Sequence, residues 1–267
     1  MPTQLDQILA HTLLEVNARK ASADIAALER KAASHTPRGF ISRMREVAAT
    51  GPAIISEIKK ASPSRGLIRA EFHPATLAKG FAENGAACLS VLTDQEFFQG
   101  SLADLEAASS VVSIPCLRKD FMLDPFQILE ARAYGADCIL LIVAAHEDQT
   151  LSDLRDEAVQ MGLDVLCEVH DRAELDRAID LGFDMIGVNS RDLRTFTMHP
   201  ELLPELVSVM PAETVKVAES GLRTAEDIRL LREVGYHGFL IGETLMRQPD
   251  PAGTLALLLD RDYASEF

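Results

Sequence analysis

Eight short runs dominated by Val, Ile, Leu and Ala punctuate the chain, at 53–58, 88–93, 114–117, 138–143, 165–169, 185–188, 215–218 and 238–241. None alternates apolar with polar residues as a half-exposed sheet does. Each therefore predicts a strand covered on both faces, the habit of parallel sheets. The stretches between them have helical periodicity and recognisable ends. Segment 74–84 follows His73 and stops at Gly85, and 124–134 opens on Asp124-Pro125 and stops at Gly135. Segment 171–181 runs from Asp171 to Gly182, and 224–234 runs from Thr224 to Gly235. An Asp or Thr start with a Gly stop is the chemistry of helix caps. Strands alternating with helices imply parallel strands joined by right-handed crossovers. Eight of them predict an α/β fold of the closed (β/α)8 TIM barrel type. No GxGxxG or GxxxxGK[ST] loop supports an open doubly wound sheet instead.

The barrel is assigned to residues 51–267, leaving 1–50 as an N-terminal helical extension. Amphipathic helices are expected there at 5–21 and 39–47, joined by a charged segment, either capping the barrel bottom or reaching over its mouth. No Pro/Gly/Ser-rich linker divides the chain. Cys88, Cys116, Cys138 and Cys167 lie far apart inside apolar runs, with no CxxC or Cys/His cluster. Buried, reduced thiols are expected. The formal charge is −15, a field that opposes nucleic acid and anionic membrane surfaces, so neither is an expected partner. The start MPTQLDQILA has an acid and no basic residue ahead of its apolar positions, and the longest apolar run, 138–145, is too short to cross a bilayer. A cytoplasmic location is expected.

In such a barrel, chemistry belongs to the carboxyl ends of the strands and the loops that follow. The strand exits here read Ser56-Glu57-Ile58-Lys59-Lys60, Arg118-Lys119-Asp120-Phe121, Glu168-Val169-His170, Asn189-Ser190-Arg191-Asp192, Glu219-Ser220-Gly221 and Gly242-Glu243. Charges thus collect at the ends of otherwise apolar runs. Burying several of them costs several kcal/mol each (order of magnitude) unless they are paired or used. Period two puts Glu57 with Lys59, and Asn189 with Arg191, on common strand faces. Ser56 and Lys59 form an S-x-x-K, but i and i+3 diverge on a strand, so acyl-transfer chemistry is not expected. There is no HExxH, and His170 beside Glu168 is not a metal site by itself. Glycines in the last two loops, with Ser62-Pro63-Ser64-Arg65-Gly66 after the first strand, point to phosphate binding by main-chain N–H groups.

From about residue 50 to 250 the chain resembles the indole-3-glycerol phosphate synthase family. The matching stretches include Ser56-Glu57-Ile58-Lys59-Lys60-Ala61-Ser62-Pro63-Ser64, Phe97-Phe98-Gln99-Gly100-Ser101, Leu117-Arg118-Lys119-Asp120-Phe121, Ile186-Gly187-Val188-Asn189-Ser190-Arg191-Asp192-Leu193, Val217-Ala218-Glu219-Ser220-Gly221 and Leu240-Ile241-Gly242-Glu243. The resemblance implies ring closure of 1-(2-carboxyphenylamino)-1-deoxyribulose 5-phosphate, with loss of carbon dioxide and water and without metal or cofactor. It implies Lys119 as general acid, with Glu57, Lys59, Glu168 and Asn189 completing the catalytic set and Lys59 also meeting the substrate carboxylate. Ser62, Ser220, Gly221, Gly242 and the backbone of Glu243 correspond to phosphate positions, and Phe98, Phe121, Arg191, Leu193 and Glu219 to other lining positions. Ala61 departs from members that carry a further Lys there.

Which of Glu57, Lys59 and Glu168 serves the final dehydration stays open at this level. So do protein partners and oligomeric state, a monomer included. Two other classes compete: another phosphate-binding barrel such as phosphoribosylanthranilate isomerase, which would not require the Glu57/Lys59 pair with Lys119, and a non-catalytic barrel subunit, which has no reason to keep the charged exits. The implied substrate is a small phosphorylated anion, so the global charge opposes its capture. A basic patch at the mouth, built on Lys59, Lys119 and Arg191, is therefore expected, with Glu243 presenting its backbone N–H to the phosphate and its carboxylate turned away from that anion.

Overall fold

The computed structural model describes residues 2–259, so 260–267 of the assigned barrel lie outside the described residues. The barrel strands are β1 (Ala53–Ile58), β2 (Cys88–Leu92), β3 (Cys116–Lys119), β4 (Cys138–Ile142), β5 (Asp164–Val169), β6 (Met185–Asn189), β7 (Val215–Glu219) and β8 (Gly238–Ile241). All neighbours pair in parallel, and β8 closes on β1 through Ser56 opposite Ile241. The fold is a (β/α)8 TIM barrel with helices between its strands and before β1.

The missing alternation has a direct cause in two apolar layers. Outward residues such as Ile54, Val91, Ile139, Val165, Ile186 and Phe239 pack with helix residues including Phe81, Leu105, Ile128 and Leu175. Inward residues such as Ile55, Leu117, Leu140, Leu166, Val217 and Leu240 fill the barrel. Burying each such side chain stabilises the fold by about 2 kcal/mol. Most strand positions are therefore apolar on both faces; at the carboxyl ends of β1, β3, β5, β6 and β7 the inward position is Glu57, Lys119, Glu168, Asn189 or Glu219, whereas Leu92 of β2 and Ile142 of β4 bring apolar side chains to the cavity.

The third strand runs Cys116–Lys119 rather than over 114–117. Pro115 has no N–H to give a ladder, and the strand instead continues into charged residues. Arg118 faces outward and is fully buried, yet its guanidinium is satisfied by Asp120 (2.9 Å), Glu130 (3.3 Å), the Thr93 hydroxyl and the Gln127 carbonyl. All four cysteines are free and buried.

The extension holds three helices rather than two: α1 (Gln4–Ser22), α2 (Ile25–Ser34) and α3 (Phe40–Ala48). The charged joining segment is α2, capped by the Asp24 carboxylate on the Ala27 N–H. Both placements considered for the extension occur. Helix α3 closes the amino end of the barrel, where Phe40 and Met44 are fully buried, Met44 lies against Gly238, and the Ile41 N–H reaches Asp164 at the start of β5 (2.8 Å). Helix α1 lies on the other side. His11 stands edge-on to Phe97 in the loop after β2, and Arg19 and Lys20 bind Glu130 (2.9 Å) and Asp124 (2.8 Å) of the segment after β3.

Asp137, fully buried just before β4, pins the turn between α2 and α3. It accepts from the Arg38 guanidinium and main chain and from the Cys116 N–H, and His35 lies 3.1 Å away. Burial would raise its carboxyl, but His35 and Arg38 outweigh that and hold it below the ordinary aspartate range. The anchor is thus present at neutral pH and lost as pH falls through that lowered value. Arg38→Ala, which takes the guanidinium from this buried carboxylate and leaves it the main-chain N–H groups and His35, is expected to lower unfolding free energy by about 3 kcal/mol, measured by urea denaturation at neutral pH; an unchanged midpoint would show that the guanidinium carries no stability.

Candidate active site

A cavity of about 560 Å³ opens at the carboxyl ends of the strands. It is lined by all five expected catalytic residues, Glu57, Lys59, Lys119, Glu168 and Asn189, and by Ser62, Phe98, Phe121, Arg191, Leu193, Glu219, Ser220, Gly221, Gly242 and Glu243. Every sequence-predicted site residue is therefore brought to one place. Strand parity explains it: Glu57 follows Ile55, Lys119 follows Leu117, Glu168 follows Leu166 and Glu219 follows Val217, each two residues on and so facing inward.

Lys119 occupies the centre. Its ammonium donates to Glu168 Oε2 (2.5 Å) and to Glu219 Oε2 (2.9 Å). Beside it, Lys59 pairs with Glu57. Asn189 donates to Glu168 Oε1 (3.2 Å), while its own oxygen accepts from the Ser220 hydroxyl (2.7 Å) and the Arg191 N–H (3.0 Å). Burial opposes charge on Lys119, but Glu168, Glu219 and Glu57 outweigh it and hold the ammonium well above the ordinary lysine range. Burial opposes charge on Glu168 too, yet Lys119 and His170 hold its carboxyl well below the usual range. Glu219 moves the other way: burial, helped by the Glu168 charge and only partly offset by Lys119, pushes it up to about 8. Its Oε1 is buried without a hydrogen-bond partner.

The loops shape the rest. After β2, the Asp94 carboxylate accepts from the Phe97 and Phe98 N–H groups (2.7 and 3.0 Å), setting Phe98 beside Phe121 with ring centroids 6.3 Å apart. After β7, Ser220 and Gly221 are consecutive residues at positive φ (+67° and +76°), strained for the serine. The expected basic patch is only half right. Six basic side chains line the cavity, but five carboxyl groups face them, and the Glu243 carboxylate lies among Arg65 (3.1 Å), Arg247 (3.2 Å) and Arg191 (3.9 Å).

Sequence reasoning named Arg65 only as part of the loop after the first strand, missed Arg223, Arg247, Phe196 and Met198 in the lining, and missed Gly187. A side-chain carbon on Gly187 would land on the Glu219 carboxylate, and one on Gly242 would land on that of Glu57. Glycine inside the apolar run Ile186-Gly187-Val188 was the available signal, since it marks close approach of another group. Among the described residues no group of three or more His, Cys, Asp or Glu is placed to hold a metal ion, and no helix is long and apolar enough to cross a membrane.

The family model described as indole-3-glycerol phosphate synthase matches residues 5–258. The chain belongs to the indole-3-glycerol phosphate synthase family. It is 57% identical over 259 residues to the indole-3-glycerol phosphate synthase of Koribacter versatilis (strain Ellin345), covering 97% of this chain and all of that one. Among solved structures it is similar in fold to thiamine phosphate pyrophosphorylase from Pyrococcus furiosus (TM-score 0.57, 15% identity, 77% of this chain and 93% of that one). It is likewise similar to KGPDC from Streptococcus mutans (TM-score 0.58, 13% identity, 78% and 96%). At such identities the likeness concerns the barrel alone.

Gly187→Ala is expected to push the Glu219 carboxylate aside and lower turnover about 100-fold, the usual consequence of an ångström-scale misplacement, with the fold retained by circular dichroism. Wild-type turnover in this variant would mean that the Glu219 position does not matter.

Proposed function

We propose that the chain closes 1-(2-carboxyphenylamino)-1-deoxyribulose 5-phosphate to indole-3-glycerol phosphate, a carbon-carbon lyase reaction of tryptophan biosynthesis. The observation that carries the reading is the Lys119 ammonium at the centre of the cavity, between Glu168 and Glu219 and beside the Glu57–Lys59 pair, in a chain of this family.

The ring carbon bearing the carboxylate attacks the ketone carbon. As that bond forms, the carbonyl electron pair moves to oxygen, which takes a proton from Lys119. The developing alkoxide is strongly basic, so an ammonium held above the ordinary lysine range still suits the transfer, and it is charged at every working pH. The bond to the carboxylate then breaks, carbon dioxide leaves, and its electron pair restores the aromatic ring. In the last step the hydroxyl leaves as water and the adjacent CH2 carbon loses a proton. Two carboxyls with opposed ionisation divide that work: Glu168, held anionic, as base, and Glu219, pushed up to about 8, as acid.

In this reading Lys59 meets the substrate carboxylate and Asn189 orients Glu168. Phe98, Phe121 and Leu193 hold the anthranilate ring. The phosphate lies over the main chain of Ser220, Gly221, Gly242 and Glu243 with the Ser62 hydroxyl, near Arg191. Arg65 and Arg247 are within reach of the same anion once Glu243 shares them.

The purified protein, given this substrate in the presence of EDTA, is expected to develop indole absorbance and fluorescence over a low background, because the chain has no Trp. Lys119→Met should lower turnover about a thousandfold with the fold intact. No indole signal from the wild type would sink the reading, and near-normal turnover in the variant would remove Lys119 from the acid role.

A further inference from the structure

His170 follows Glu168 by two residues at the exit of β5. Its imidazole does not line the cavity, and its side chain is 7% exposed between two carboxylates. Nε2 lies 3.2 Å from Glu168 Oε1, and Nδ1 lies 3.1 Å from Glu174 Oε2. Glu174, in the helix Arg172–Asp180 that follows β5, also accepts from the His170 N–H (2.8 Å) and from Arg194 (3.1 Å) in the loop after β6. A neutral imidazole has one N–H and would turn a lone pair toward one of these carboxylates. Only the imidazolium suits both neighbours. Burial works against it, but the two carboxylates hold it protonated up to about 10. The Nε2 hydrogen has no well-aligned acceptor, so what reaches Glu168 from this side is charge more than a directed bond.

That charge matters because of what lies on the other side of Glu168. The Lys119 ammonium from β3 is shared by Glu168 and by Glu219 from β7, with Asn189 from β6 as a neutral donor to Glu168. Two buried carboxylates on one ammonium resist being ionised together. A second cation beside only one of them decides between them. Glu174 and Arg194 pair with each other behind the imidazolium, so they do not reverse its effect on Glu168.

We propose that His170 is a positioning residue whose imidazolium, seated between Glu168 and Glu174, makes Glu168 the ionised member of the Glu168–Glu219 pair and leaves the proton on Glu219. The effect on turnover rests on the base and acid roles proposed above; the effect on ionisation does not.

The test replaces His170 with Gln, which keeps polar contacts but no charge. Carbon-13 NMR of labelled glutamate carboxyls, assigned through Glu168→Gln and Glu219→Gln, should show Glu168 ionised throughout the neutral range in the wild type, with Glu219 the group that titrates. In His170→Gln, Glu168 should take up part of the proton near neutrality and Glu219 should titrate lower. In turnover, kcat at neutral pH should fall about tenfold with KM nearly unchanged, and the acid limb of the kcat profile should move up by about one pH unit. Glu174→Gln, which loosens the hold on the imidazolium, should shift both readouts the same way but less, and it carries the test if His170→Gln does not fold. Unchanged carboxyl titrations in the folded variants, or a loss confined to melting temperature, would overturn the proposal. Altered titrations in a protein that makes no indole would support it and count against the functional reading instead.

Discussion

One buried ammonium held between two glutamates, Lys119 with Glu168 and Glu219, is the interaction around which the upper end of the barrel is arranged. The three groups come from β3, β5 and β7, so they meet only when eight strands close around a common axis. An isolated charge at this depth would cost several kcal/mol (order of magnitude), and removing either partner leaves the other stranded. The layer beneath, with Leu117, Leu140, Leu166 and Val217, is apolar and strengthens every charge interaction above it. Room for the carboxylates comes from missing side chains: Gly187 admits Glu219, and Gly242 admits Glu57.

The same arrangement bears on how an acidic protein would take the anionic substrate proposed for it. At −15 the chain as a whole repels such a molecule, so attraction has to be local and short-ranged. The cavity meets this with a mixed set of charges rather than a plain basic patch. Glu243 pairs with Arg65 and Arg247 and holds them near Arg191, so under the proposed function a phosphate would join an assembled cluster instead of ordering three separate side chains.

Much of this was legible in the chain because barrels impose a simple code. Runs without alternation marked the strands, and a charge at a run's end marked an inward group at the mouth, as with Glu57 and Lys59 two residues apart. The code failed where tertiary pairing overrides local pattern. Arg118 belongs to β3 although it is charged, since Asp120 and Glu130, invisible as partners in sequence, satisfy it. Helix α2 was passed over for its charge, although Asp24 carries the ordinary signal of a helix start. Glu219 read as one more lining residue because its bond to Lys119 spans 100 positions. His170 was set aside as no metal site and given no other role, because its meaning depends on Glu174 and on which carboxylate lies across from it.

The charge on Lys119 is the quantity most worth measuring. Nitrogen-15 NMR of the lysine side-chain nitrogens, with Lys119 assigned through Lys119→Met, follows it directly. The expected result is an ammonium signal that persists past about pH 10 in the wild type and is lost at lower pH once Glu168 and Glu219 are both changed to Gln. A neutral Lys119 amine at about pH 7–8 in the wild type would contradict the ion-pair centre and, with it, the acid role assigned to this residue.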